Sequence, residues 1–513
     1  MELVKKNIHM NRFKQEVSTQ ITLDDDFIVP DSMEDLAQVV LRSGEVLLES
    51  AKVQNEKTVL RGKMAFQVLY RGEDGKLWTL AGSIPFEESI NVPELTEKDY
   101  VQYRWDLEDL TAAMIHSRKI NMKGLLAFHV RVESLEDVEA AEDADGDVEK
   151  QKQELEVATI ALRKKDTHRI REEVTLPTNK PNIGQILWSE MKLQGVNTRL
   201  LEGKVRIEGE LIVFVIYSSE SEGLPLQWLE ESLPFQGEVE LSQATEAMIP
   251  TIGVRLIHKE LEEKPDKDGE LRQLAVDAVA ELDMKLYEQE KIQLLSDLYS
   301  TKEEVILEQG EVKFDTLLLK NEAKCRVLEK ISLPNGERIL QICHVDGTVK
   351  LDETHTDEEG VWVEGVLEVR ILYLTADDAQ PLQAVTEVLP FQYLAEAEEA
   401  DDTCICQIQS GVEQLSAMMS GTDTAEIKGV VSLDILLLKP VTKQLVIRAR
   451  TEPQDVKKLQ ALPGIVGYVV QKGDSLWTVA RKFHTTVEDV MEGNGLTDEK
   501  LQVGDKLILQ KRV

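Results

Sequence analysis

The chain has 513 residues, enough for several independent cores, because a single core stops growing well below that length. It carries 95 Asp and Glu against 59 Lys and Arg, a formal net charge of −36. That balance argues against a nucleic-acid partner, which needs a basic surface to neutralise phosphates, and favours a cationic partner or an ion-rich assembly.

The opening residues, MELVKKNIHMNRFKQEVSTQ, hold two adjacent lysines with no apolar run behind them, unlike a secretory signal. The longest apolar runs, LIVFVIY and ILLL, are strand-sized and far short of the roughly 20 residues a membrane helix needs. No membrane insertion is expected, and a cytoplasmic chain is the simplest reading. Cys325, Cys343, Cys404 and Cys406 all fall in one third of the chain, which is not the dense, dispersed pattern of a disulfide scaffold.

Further along, one line of sequence occurs three times: VLRGKMAFQVLY ending at Tyr70, VRIEGELIVFVIY ending at Tyr217, and VWVEGVLEVRILY ending at Tyr373. A glycine (Gly62, Gly209, Gly365) precedes each tyrosine by eight residues, and a glutamine (Gln38, Gln185, Gln341) precedes it by 32. A proline stands before each glutamine (Pro30, Pro177, Pro334), and a Pro-Phe pair follows each tyrosine (Pro85-Phe86, Pro234-Phe235, Pro390-Phe391). Five landmarks kept three times predict three copies of one domain. Within a copy the apolar period is two: Val361, Val363, Leu367, Val369 and Ile371 alternate with Glu364, Glu368 and Arg370, as in a half-buried strand. TADDAQP supplies a turn, and each copy closes on another strand-like run: MKGLLAFHVRV, VDAVAELDMKL or IKGVVSLDILLL. The fold class expected is mainly β and multidomain: three β-sandwich-like repeats followed by a small βααβ module.

Composition places the boundaries at 1–135, 166–300 and 301–452 for the copies. Residues 136–165 should be an acidic linker, because Glu133 to Glu149 contains no basic residue and reads as solvated and mobile. QKQELEVATIALRKK after it is expected as a short helix. KIQLLSDLYSTKEEVILEQGEVKF is expected as a helix leading into a strand. A last linker spans 453–465.

The module at 466–513 has as many basic as acidic residues, so the whole net charge sits before it. Its YVV strand meets Gly473-Asp474, where Asp474 can cap a helix whose inner face is Leu476, Val479, Ala480 and Phe483. Thr485 with Glu488 forms a capping box for a second helix, Asn494-Gly495 stops it, and Gly504-Asp505 turns the chain into the strand LILQ.

These residues resemble a LysM domain: Tyr468, Val470, Gly473-Asp474-Ser475-Leu476-Trp477, Val479-Ala480, then Asn494-Gly495-Leu496 and the glycine turn at Gly504. LysM domains bind N-acetylglucosamine polymers in a shallow groove between two loops, which the resemblance assigns to Gly473 through Leu476 and to Leu501 through Gly504. The second loop has Val503-Gly504 where the family usually has Pro-Gly. The repeated domain is similar to the SPOCS domain of spore-envelope proteins, with its Gly-to-Tyr strand and trailing Leu-Pro-Phe. Repeats of it before a LysM domain resemble the SipL-type coat morphogenetic proteins. That resemblance implies a role in the mother-cell cytoplasm at the forespore surface, localising the ATPase that polymerises as the coat's basement layer. The expected partners are spore coat morphogenetic proteins and, as the alternative, an N-acetylglucosamine-containing glycan. The expected contact residues are Gly473, Asp474, Ser475, Leu476, Trp477, Asn494, Leu501, Val503 and Gly504, with Trp477 either completing the module's core or anchoring a partner at the groove rim.

Other chemistry has weaker signals. Cys404 and Cys406 share a strand face, with Cys343-His344 in the same copy, but a zinc site favours two-residue spacing within a pair, and buried thiols are the simpler reading. No phosphate loop, His-Glu-x-x-His helix or Gly-x-Ser-x-Gly elbow occurs in the sequence. No catalytic residue, metal or cofactor is therefore assigned.

Overall fold

The computed structural model describes residues 1–219, 226–332, 339–377, 380–421, 423–453 and 463–510. Copy one runs through β1 (Leu3–Ile28), β2 (Leu36–Gln54), β3 (Lys57–Gly72), β4 (Leu77–Asn91), β5 (Tyr100–His116) and β6 (Lys119–Ala144). These pair as two antiparallel sheets, β1-β6-β5 and β2-β3-β4. Alternate side chains of β3 (Leu60, Met64, Phe66, Val68, Tyr70) and of β6 (Met122, Leu126, Phe128, Val130) are buried in one core between the sheets. Each copy is a β-sandwich.

Copy two repeats the plan with β7 (Glu149–Thr175), β8 (Ile183–Leu201), β9 (Lys204–Ser219), β10 (Gln227–Glu240), β11 (Ile249–Pro265) and β12 (Leu271–Tyr299). Copy three follows with β13 (Glu303–Ser332), β14 (Ile339–Thr356), β15 (Gly360–Thr375), β16 (Leu382–Glu396), β17 (Ile405–Met419) and β18 (Thr424–Pro453). Their sheets are β7-β12-β11 with β8-β9-β10, and β13-β18-β17 with β14-β15-β16.

The sequence landmarks have physical causes. Gly62, Gly209 and Gly365 stand directly opposite Phe86, Phe235 and Phe391 in the ladder. A Cβ on the glycine would lie 2.9, 3.1 and 2.9 Å from the ring's Cζ, so each ring lies over the bare backbone and covers it. Tyr70 donates its hydroxyl proton to the Glu34 carbonyl at 3.0 Å, and Tyr217 donates to the Pro181 carbonyl at 3.2 Å, each 36 residues upstream. Pro30 and Pro177 open matching turns, closed by Met33 N–H and Lys180 N–H; Pro334 lies outside the described residues.

The edge strands β2, β8 and β14 carry register shifts at the same three places, the second leaving Val40, Leu187 and Cys343 out of the ladder. Such bulges bend a strand and re-aim its side chains. These three residues pack with Leu41, Leu69, Trp188, Phe214, Ile216 and Leu372 into a hub where all three copies meet.

A second junction corrects the expected linker. Residues 136–144 continue β6 against β1, with Ile8 opposite Val138 and Lys6 opposite Ala140, and residues 149–165 lie in β7. The carboxylates point outward, where Lys5 meets Glu139 at 3.2 Å and Lys150 meets Asp143 at 2.5 Å. The small residues between them point inward: Ala140 packs with Ile8, Met10, Val157, Ile292, Leu294, Phe314 and Leu445 from all three copies. Counting charge along one strand overlooked the lysines facing it. QKQELEVATIALRKK is likewise strand β7 rather than helix, and the expected helix between copies two and three is the end of β12 and the start of β13. Residues 454–462 of the last expected linker lie outside the described residues.

The final module is βααβ as expected: β19 (Ile465–Val469), α1 (Leu476–Lys482), α2 (Val487–Asn494) and β20 (Lys506–Gln510). Its caps shift by one residue from expectation. Ser475 rather than Asp474 caps α1, in a capping box with Thr478, and Thr486 rather than Thr485 caps α2. Gly495 ends α2 in the left-handed region, at φ 64°.

Candidate binding site on the terminal module

The two expected groove loops come together at Val470, whose carbonyl accepts from Gly504 N–H and whose N–H donates to the Asp505 carbonyl, both at 2.9 Å. Gly473 and Gly504 hold φ of 95° and 99°, backbone that a side chain would strain. A Cβ on either meets nothing within 4 Å, so the surface there is open. Ser475 is exposed, and Val503 is 70% exposed, an apolar side chain held in solvent.

The other expected contact residues do different work. Asp474 accepts from Tyr468 Oη at 2.6 Å and from Gln471 N–H at 2.8 Å; the Tyr468 hydrogen bond holds its carboxyl below the usual range. Leu476 is 2% exposed in the module's core, and Leu501 packs against that core. Asn494 donates to the Ile508 carbonyl at 2.9 Å and accepts from Ile508 N–H at 2.6 Å, covering the open edge of β20 with a side-chain amide. None of the four is a free contact surface.

Of the two readings of Trp477, completing the module's core and anchoring a partner at the groove rim, the structure supports the first, since the side chain packs against that core. Its indole N–H donates to Asp297 at 2.8 Å and its ring meets Tyr299 edge-on, with centroids 4.8 Å apart. Arg481, one turn along α1, pairs with the same Asp297 at 2.6 Å. Tyr299 Oη donates to the Thr485 carbonyl at 2.8 Å and the ring belongs to the module's core. The end of β12 thus supplies a missing piece of that core, and the module is seated on the body with its loops left uncovered. Sequence reasoning missed Asp297 and Tyr299 because nothing local marks them.

Elsewhere the charged groups are committed to holding copies together. Glu133 and Lys285, 1% and 3% exposed, pair at 2.9 Å; Arg163 also reaches Glu133 at 2.8 Å, and Asn11 and Gln407 donate to Tyr287 Oη beside it. Burial pushes the Glu133 carboxyl up, but Lys285 and Arg131 outweigh that and bring it down to about 2. Glu190, His344 and Asp346 cluster at the hub, with both carboxylates bonded by Arg370 and Asp346 also by Lys192. They form an ion-pair network rather than a cation cage. All four cysteines are free thiols, and burial pushes those of Cys343 and Cys406 up to about 12, so they stay protonated and weakly nucleophilic near neutral pH.

Between the copies lies a cavity of about 1810 Å³ walled chiefly by β2, β5, β8, β11, β14 and β17, with residues of β15 such as Arg370 also lining it. Its charges are matched: Arg255 with Glu281, Lys259 with Glu45, Lys192 with Asp346. Among the described residues no helix is long and apolar enough to cross a membrane.

The family model described as SipL, SPOCS domain matches residues 35–115, 182–263 and 338–420, and that of the LysM domain matches residues 468–510. Each SPOCS match covers β2 to β5 or their counterparts and leaves out the strands equivalent to β1 and β6, which complete the sandwich and build the junctions between copies. No solved structure matches the chain. SPOCS and LysM domains are binding and scaffolding types, and LysM brings peptidoglycan binding, so the pair fits a sporulation-associated binding or scaffold role. With three SPOCS domains followed by a LysM domain, the chain belongs to the SipL family.

Proposed function

We propose that this chain is a non-enzymatic assembly adaptor of the bacterial endospore coat. Its three sandwiches form the scaffold, and its LysM module docks on a coat morphogenetic ATPase. It works in the mother-cell cytoplasm at the forespore surface. The observation that carries this reading is the seating of the module: Trp477 and Arg481 tie it to Asp297, while Ser475 and Val503 stay exposed. A scaffold that holds two loops at a fixed angle suits an adaptor that must present one partner to another. An apolar Val503 in the second loop suits a protein surface better than a sugar ring's hydroxyls.

The second reading, binding of N-acetylglucosamine polymers in the spore envelope, is favoured by the LysM match itself. Co-purification of tagged full-length protein from sporulating cells, beside sedimentation with purified peptidoglycan, separates the two. Recovery of the coat ATPase without retention on peptidoglycan supports the adaptor. Retention on peptidoglycan without the ATPase supports the second reading.

A further inference from the structure

At the hub, the second and third copies meet through charge. His344 of β14 is 7% exposed, and its ring lies flat on Phe214 of β9, with centroids 4.1 Å apart. Its Nδ1 bonds Glu230 of β10, and its Nε2 faces Glu190 of β8 at 3.7 Å. One ring of the third copy is therefore held between two carboxylates of the second. The matching bulges of β2 and β8 put Leu41 and Trp188 at the equivalent position, so a titratable group stands where the sister copies have an apolar one.

The surrounding charges leave a gap that a proton fills. From β8 come Glu190 and Lys192, from β10 Glu230, from β14 itself Asp346, and from β15 Arg370. Arg370 also donates to the Arg42 carbonyl of β2 at 3.4 Å. Cys343 beside His344 is a neutral thiol, and Lys180 lies over Trp228 of the same hub at 4.6 Å. Three carboxylates thus face two fixed cations, Arg370 and Lys192. A charged imidazole supplies the third cation and donates from both nitrogens, whereas a neutral ring donates from one only.

We propose that His344 is a proton-operated lock between the second and third copies: charged, it ties Glu190 and Glu230 to β14, and neutral, it lets one of them go. Burial by itself would push the imidazole down, but the pull of Glu190 and Glu230 outweighs it and the group is raised above 6.5. For a group raised on folding, the stabilisation is complete below the ordinary imidazole value and is lost as pH rises through the raised one. The window therefore opens above 6.5. Because Glu190, Asp346 and Arg370 also wall the central cavity, releasing the lock loosens that wall.

The test is thermal unfolding of the full chain from pH 6 to pH 9 for the wild type, His344→Gln and Glu230→Gln, with an NMR titration of the imidazoles. Both variants should lie below the wild type at pH 6 by about 2–4 °C and converge on it by pH 9, and one imidazole lost in His344→Gln should titrate above 6.5. A gap between wild type and variants that is constant with pH, or an imidazole titrating at or below 6.5, overturns the proposal. If His344→Gln does not fold, Glu230→Gln, at a half-exposed position, carries the same comparison.

Discussion

Trp477 stands edge-on to Tyr299, with 67° between the ring planes, and its indole N–H reaches Asp297, 180 residues away in sequence. The contact seats a small module on the end of a strand of the large scaffold. Asp297 accepts from both Trp477 and Arg481, so Asp297→Ala leaves two donors without their acceptor and should weaken the joint by about 1–3 kcal/mol. Small-angle scattering of the full chain should then report a larger radius of gyration, with the SPOCS sandwiches still folded by circular dichroism. An unchanged radius would mean that the joint does not depend on Asp297.

The glycine-phenylalanine pairs predict a ranking. A Cβ at Gly62 would lie 2.4 Å from the Leu47 carbonyl oxygen and one at Gly365 2.5 Å from that of Lys350, whereas at Gly209 the nearest atom is 3.1 Å away. Gly62→Ala and Gly365→Ala should each cost about 1–3 kcal/mol and Gly209→Ala clearly less. Urea unfolding of the three variants checks the order.

These pairs also explain what was legible in the sequence. Gly62 with Phe86, and Tyr70 with the carbonyl of Glu34, are contacts within one copy, so their spacing recurs wherever the copy recurs. The LysM residues were legible for the same reason: Gly495 and the capping residues act locally, although the N-cap fell on Ser475 rather than its neighbour. What joins one copy to the next has no such repeat. Ala140 and Val138 look like residues of a charged linker until β1 supplies their partners, and Asp297 and Tyr299 look like an ordinary strand end until α1 lands on them.

The acidic stretch accordingly yields a prediction opposite to that for a linker. Deleting residues 136–144 removes the end of β6 that pairs with the start of β1 and the Ala140 contact with the other copies. It should lower the unfolding temperature by many degrees or prevent folding, as seen by calorimetry of the deletion variant. A deletion tolerated without loss would return the segment to the role of a spacer.

Glu133 predicts an acid-sensitive junction. Its carboxyl is brought from an ordinary 4.5 down to about 2, so its contribution is complete above 4.5 and is lost as pH falls through that window. Glu133→Gln leaves Lys285 buried without its counter-ion and should cost about 3–5 kcal/mol near neutral pH. In denaturant titrations from pH 7 to pH 2, the wild type should lose its advantage over the variant progressively on acidification. An advantage that persisted at pH 2 would place the stabilisation elsewhere.

The adaptor role stands or falls on what the open loops hold. Ser475 caps α1, so changing it costs the helix about 1 kcal/mol, whereas Val503 is 70% exposed and its replacement by Glu leaves the fold intact. The most direct measurement is calorimetric titration of full-length wild type and Val503→Glu with the purified coat ATPase and, separately, with N-acetylglucosamine oligomers. The adaptor role predicts binding of the ATPase by the wild type, at least a tenfold loss in Val503→Glu, and weaker or no binding of the oligomers. Tight oligomer binding together with ATPase binding indifferent to Val503→Glu would contradict it.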